Sequence, residues 1–388
     1  MEAWPIVPIG ELFKLKQGTY LKPDDMGENQ SEEFPFPVYG ANGIIGYSNR
    51  KMYGERTTLV SCRGANCGVV HYTVPNVWIS NNSIACVPKG DIDPAFYYYV
   101  CENTDFGDVI TGSAQPQITI TNLSSKEFVR PPLPVQRRIA GILSAYDELI
   151  ENSQRRIKIL ESTARALYRE WFVHFRFPGH EKHPRVASTL GDIPQGWEVE
   201  KLANVAEVNR AQISARTAPE ELHYIDISSV SPGQIDSITT YAFADAPGRA
   251  RRIVQHGDVL WSCVRPNRRS YAQVIHPNPD TIASTGFAVL TATKVPFTFL
   301  YFITTTDDFV AFLTNNATGA AYPAVSGATF EKADLLIPPA PLLKKFGEAT
   351  IPMAEEIHSL QRLIQNLRQT RDLLLPRLLS GQIEIGNN

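Results

Sequence analysis

Three arginines, an asparagine and a tyrosine fall within seven residues at Arg265-Pro-Asn267-Arg268-Arg269-Ser-Tyr271. A guanidinium pairs bidentately with guanine and an asparagine amide with adenine, while further cations and tyrosine hydroxyls hold phosphates. The pattern points to nucleic-acid contact, with a solvated charged loop as the alternative. Arg249, Arg251 and Arg252 add a second basic cluster. Earlier in the chain, Ser61-Cys-Arg63-Gly-Ala-Asn66-Cys-Gly68 again joins Arg and Asn, on a Gly-rich turn that lets backbone approach a ligand closely. A tight hairpin carrying a surface Arg reads the same way. Asn42, in Gly40-Ala-Asn42-Gly43, is another polar turn, and Asn-Gly is equally a plain hairpin signal. Gln115 and Gln117 in one Gly/Pro-containing loop, and Tyr322 in a matching later loop, either touch bases and backbone or shape a turn.

Reaction chemistry is harder to find. An adenine methyltransferase needs a Gly-rich cofactor loop and an Asp/Asn-Pro-Pro-aromatic motif. The two Pro-Pro pairs, Arg130-Pro-Pro-Leu133 and Ile337-Pro-Pro-Ala340, lack both flanks. No Gly-x4-Gly-Lys-Ser/Thr phosphate loop is present. Cys62, Cys67, Cys86, Cys101 and Cys263 form no CxxC pair, so buried reduced thiols are expected rather than a metal site. His174, His180 and His183 read as solvent-exposed linker residues, and Tyr97-Tyr98-Tyr99 as packing beneath a sheet. The expectation is a non-catalytic chain with no cofactor and no metal. Its net charge of −3 is no nucleic-acid signature, but clustered basic loops matter more than the sum. No apolar run approaches the ~20 residues that span a bilayer, and the N-terminus lacks signal-peptide character, so no membrane partner and a cytoplasmic location are expected.

The elements that must position these loops come in two copies. Residues 112–175 and 319–382 align without a gap at an offset of 207. Gly112-Ser-Ala-Gln-Pro116 answers to Gly319-Ala-Ala-Tyr-Pro323, and Pro131-Pro132-Leu-Pro134 to Pro338-Pro339-Ala-Pro341. Each Pro cluster opens a helical stretch whose apolar positions step by four and three, from Ile139, Leu143 and Tyr146 to Trp171, and from Phe346, Thr350 and Met353 to Leu378. That spacing keeps one stripe facing a partner helix, and Ser153 and Arg371 are its polar exceptions. The first helix is expected from about Val135 to Phe175, on the order of 60 Å long at ~1.5 Å per residue. The second is expected from after Pro341 to near Leu379, distorted by Pro376 and stopped by Gly381. Ahead of each helix lie short β-type runs such as Val69–Thr73 and Ile84–Val87, with a helix at Pro94–Cys101. Leu59-Val-Ser-Cys62 answers to Leu260-Trp-Ser-Cys263 at an offset of 201, so insertions fall inside the modules. The fold expected is α+β: modules at 1–133 and 197–340, helices at 134–176 and 341–380, a linker at 177–196 and a tail at 381–388. The helices most simply pair antiparallel as a coiled-coil spacer, although each could pair with another copy of itself.

The layout resembles the specificity subunit of type I restriction–modification systems over essentially the whole chain. The strongest part is Pro131-Pro-Leu-Pro-Val-Gln-Arg-Arg-Ile139 followed by Ile142-Leu-Ser-Ala-Tyr-Asp147. Tyr39-Gly-Ala-Asn-Gly-Ile-Ile-Gly-Tyr47 and Ser61–Gly68 are similar to elements of that family's target-recognition domains. The second copy departs at Leu343 and Lys344, where the first has Gln136 and Arg137. The resemblance implies two target-recognition domains, each reading one half of a split double-stranded DNA site. It also implies DNA methyltransferase subunits docked on the helices and a restriction–translocation subunit joining them. The rival reading is a scaffold of two protein-binding modules on a coiled-coil spacer.

Overall fold

The computed structural model describes residues Trp4–Ile383, which fall into two compact units. One runs up to Asn152 and resumes at Leu363; the other is Ser153–Arg362.

In the first unit, four antiparallel strands lie in the spatial order Phe13–Gln17, Ser83–Pro88, Thr58–Ser61, Val70–Tyr72. Their inward residues, among them Phe13, Val60 and Ile84, are fully buried. They pack on the helix Pro94–Glu102, whose N-terminus is capped by Asp93 accepting from the Phe96 amide. Tyr97 and Tyr99 are buried there and Tyr98 stacks on Tyr72, so all three tyrosines pack. A second sheet runs Met26–Gly27, Gly43–Ser48, Phe36–Gly40, Trp78–Ile79, its last pair parallel. A ribbon of Ile6–Pro8 with Glu127–Val129 brings the module's two ends together.

The second unit repeats this plan. Ala206–Val208, Phe287–Ala292, Val259–Ser262 and Tyr271–Gln273 form the same four-stranded order as the first sheet of the first unit. The other sheet again contains a parallel pair, Glu221–Ile225 with Thr281–Ser284, here at its centre, and Glu198–Lys201 with Asp334–Ile337 is the matching ribbon. The sheets differ at their edges: the second unit adds Ala250–Ile253, which carries Arg251 and Arg252. It also has two helices, Phe297–Thr304 and Asp307–Asn315, where the first unit has one helix and a short turn.

The two long helices are α1 (Leu133–Tyr168) and α2 (Ala340–Leu379), whose starts are 207 residues apart. At each start one proline carbonyl accepts two amides: Pro132 from Val135 and Gln136, Pro339 from Leu342 and Leu343. The departure at Leu343 therefore leaves the frame intact. Gln136 spends its buried amide on the Asp93 amide and the Pro131 carbonyl, whereas Leu343 is simply buried. Pro134 and Pro341 sit in first turns, where a missing N–H goes unnoticed. Within the first unit, Ile139 and Leu143 share a core with Leu375, Leu378 and Leu379, and Arg371 pairs with Asp147 at 2.5 Å. Within the second, Tyr168 meets Phe346, and Arg156 pairs with Glu356 at 2.5 Å. Ser153 is buried.

Two helix ends differ from expectation. α1 does not stay α-helical to Phe175: after Tyr168 the chain widens into a π turn at Arg169–Val173, and Phe175 takes a left-handed φ of 58°. The wide turn lets Tyr168, Trp171 and Phe172 all meet Phe346, an aromatic gain that offsets the weaker hydrogen bonding. α2 continues through the exposed Pro376 and ends where Gly381, at φ 71°, donates to the Leu378 carbonyl while Gln382 donates to Arg377.

Candidate nucleic-acid interface

In the first unit, the hairpin between Thr58–Ser61 and Val70–Tyr72 is closed by Gly68 donating to the Ser61 carbonyl and Cys67 to Gly64. Gly64 sits at φ 78°. The loop preceding the Pro cluster turns back at Gly112, where an added Cβ would lie 2.6 Å from the Gln115 carbonyl oxygen. It then joins the hairpin: Gly64 donates to Pro116 at 3.0 Å and Ile118 to Cys62 at 3.1 Å, placing Arg63 opposite Gln117. Asn66 donates its side-chain amide to that of Asn42. The Asn42 turn is fixed by Ser61 Oγ and His71 Nε2, both on the Ala41 carbonyl. Asn42, Arg63, Asn66 and Gln117 thus gather on one surface, with Gln115 exposed on the same loop.

The second unit builds the same junction. Arg265 donates through its backbone to Pro323 at 2.7 Å and Val325 to Cys263 at 2.9 Å, and Gly319 turns the loop at φ 101°. Arg265 therefore occupies the place of Gly64, and Tyr322 that of Gln115. Arg265 also adopts the left-handed conformation, φ 51°, as does Arg269 at φ 57°, bracketing the turn Pro266–Arg268. Such a conformation in a long side chain is uncommon and concentrates at binding sites. The Arg265 guanidinium lies 4.5 Å over the Tyr322 ring and donates to the Ala321 carbonyl. Tyr322 is 68% exposed. Asn267 and Arg268 are exposed at the tip, while Arg269 is held by Asp307 at 2.5 Å. The second basic cluster is divided: Arg249 is exposed, Arg251 lies over Phe243, and the Arg252 Nε is buried without a hydrogen-bond partner.

Sequence reasoning passed over Ile44, Ile45 and Val69, which are 48%, 48% and 42% exposed, the first two on the strand after Asn42 and the third in the hairpin loop after Asn66. Apolar side chains there suit a thymine methyl group. The signal was an Ile-Ile pair between two glycines in a hairpin. Cys62, Cys86 and Cys101 are buried free thiols, and burial pushes Cys86 up to about 12; Cys67 and Cys263 are half-buried. Among the described residues no group of His, Cys, Asp or Glu is arranged to hold a metal ion. Nor is any helix there long and apolar enough to cross a membrane.

Two modules of one topology, each joining a polar hairpin to a second loop at its surface, define a tandem two-module protein. Residues 1–162 match the family described as the type I restriction modification DNA specificity domain. The specificity subunit of the type I restriction enzyme MjaIX of Methanocaldococcus jannaschii is 24% identical over 315 residues, covering 77% of this chain and 71% of that protein. The MjaVIII specificity subunit of the same organism is 22% identical over 414 residues, covering 100% and 94%. The crystal structure of a type I restriction–modification system S subunit from M. genitalium shares the fold, with a TM-score of 0.69 at 16% identity over 97% of this chain and 96% of that one. These comparisons make the chain similar to the specificity subunits of type I restriction–modification systems, with the family match lying in residues 1–162.

Proposed function

We propose that the chain is the non-catalytic DNA-reading subunit of a type I restriction–modification complex, acting in the cytoplasm on an asymmetric, two-part double-stranded target. The single observation that carries this is the repeated junction: the hairpin-to-loop bonds at Gly64/Pro116 and Arg265/Pro323 frame different side chains on one backbone design. One frame with two sets of readers suits two unlike half-sites. The reading residues are Asn42, Arg63, Asn66, Gln115 and Gln117 for one half, and Arg265, Asn267, Arg268, Arg269 and Tyr322 for the other.

On this reading 1–133 and 197–340 are the target-recognition domains. The helices at 134–176 and 341–380 pair antiparallel as the spacer that sets the gap. The ion pairs Asp147–Arg371 and Arg156–Glu356 support that direction, since the partner number falls as the α1 number rises. Methyltransferase subunits and a restriction–translocation subunit supply the chemistry. Long-read methylation mapping of host DNA with the gene intact and deleted tests the proposal. Deletion should erase one asymmetric, gapped motif. An unchanged methylome, with the methyltransferase partner expressed, refutes it.

A further inference from the structure

Residues 174–185, which read as a solvated linker, instead fold around a cleft of about 260 Å³ in the second unit. Its wall carries His174, Arg176, His180, His183 and Arg185, and its floor is aromatic. The floor is pinned from below: the rings of Phe175 and Phe177 lie 5.3 and 5.4 Å from Trp197, which is buried. Arg185 is set by the ribbon Arg185–Ser188 with Gly191–Pro194, and its guanidinium lies 5.2 Å over Phe175. His180 keeps Nδ1 2.9 Å from the Phe177 carbonyl, so that nitrogen donates there and fixes the ring. His183 rests on the Phe177 ring at 5.3 Å.

The charge around this space is one-sided. No carboxylate lines it. Glu170 stands outside, 3.2 Å from Arg176 and 3.9 Å from His174, and Glu181 lies 3.5 Å from His180. Lys182 adds a further cation on the same turn. Arg185 has no carboxylate partner among the described residues, so its planar fork of donors is open to an oxyanion. Cationic donors around an aromatic floor are the chemistry that takes a phosphate and stacks the base attached to it.

We propose that this cleft binds the phosphate of a nucleotide, either free or within a DNA strand. The test is calorimetric titration of the full chain with inorganic phosphate, with ADP, and with a short duplex lacking the methylation target. The comparison is the Arg185→Gln/His183→Gln double variant, altered at two exposed positions and checked for an unchanged melting temperature. Saturable binding of phosphate or ADP is expected, reduced at least about tenfold in the variant. ADP binding that the duplex leaves undisturbed identifies a free nucleotide. Displacement of ADP by the duplex, with the variant's salt slope for DNA lowered by about one, identifies a strand phosphate. Absence of saturable phosphate and ADP binding, or binding equal in the variant, overturns the proposal.

Discussion

On the proposed reading, replacing Tyr322 by Ala isolates how Arg265 is made ready for a base. The Tyr322 ring lies 4.5 Å beneath the guanidinium and touches little else, being 68% exposed. Its loss removes a cation–π contact worth about 0.5–1 kcal/mol at an exposed site. It also frees an arginine whose immobilisation then costs about 0.5–1.5 kcal/mol on binding. The contact is already made in the free protein, so its own energy falls on folding and only the ordering cost reaches binding. That predicts a loss of about 0.5–1.5 kcal/mol, roughly 2- to 12-fold in affinity for the target duplex, beside about 0.5–1 kcal/mol of stability. The assay is fluorescence anisotropy on the target duplex at fixed salt, run as a double-mutant cycle with Arg265→Gln. If Tyr322 acts through Arg265, its effect should largely vanish in the Arg265→Gln background. Full additivity, or unchanged affinity in Tyr322→Ala alone, refutes the reasoning.

Three further outcomes follow from packing and charge. Asp147 accepts the buried Tyr99 hydroxyl at 2.6 Å and pairs with Arg371, so Asp147→Ala should cost about 2–4 kcal/mol in urea unfolding. Asp147→Asn, which keeps an acceptor, should recover most of that loss. Trp261 is fully buried with its indole donating to the Thr304 carbonyl, so Trp261→Ala should cost about 3–5 kcal/mol by the same measurement. Burial, then Arg362 and the neighbouring His276 and His256, hold His358 below the ordinary imidazole range, and its Nε2 is buried without a partner. The folded protein then binds fewer protons than the unfolded chain, so this group's stability is present above pH ~6.5 and drains away as pH falls below it. Burial pushes Asp258 the other way, up to about 6, and its cost eases as pH falls through that value. The thermal midpoint of His358→Gln should therefore decline less than the parent's between about pH 7 and pH 5.5, and parallel curves would refute the assignment.

The helices were legible because their signals are local. The Pro clusters set both starts 207 residues apart, and the stripe from Ile139 to Leu143 or from Phe346 to Thr350 needs only its own spacing. The doubled module was legible through Cys62 and Cys263, which occupy matching places. Strand order was not, because pairs such as Phe36–Gly40 with Trp78–Ile79 join residues about forty apart with nothing local to announce them. The reading loops were found as residue types, but their geometry was hidden. The offset of 201 that joins Cys62 to Cys263 already sets Gly64 against Arg265, but the bonds that tie them to Pro116 and Pro323 are visible only in the fold. The histidines of the linker were dismissed because no ligand spacing joins them; the cleft arises from Phe175 and Phe177 seating on Trp197, a tertiary event.

If position 265 reads DNA as proposed, its left-handed backbone restricts which letters it can come to read. A β-branched residue there is sterically excluded, and most others carry strain. Glycine fits without cost but reads nothing, as at Gly64, where the reading passes to the neighbouring Arg63. Asparagine is the side chain most at ease in that conformation, and it favours adenine where arginine favours guanine. Drift at this one site is thus channelled: of the paths away from guanine, the one the backbone leaves open leads to adenine or to silence.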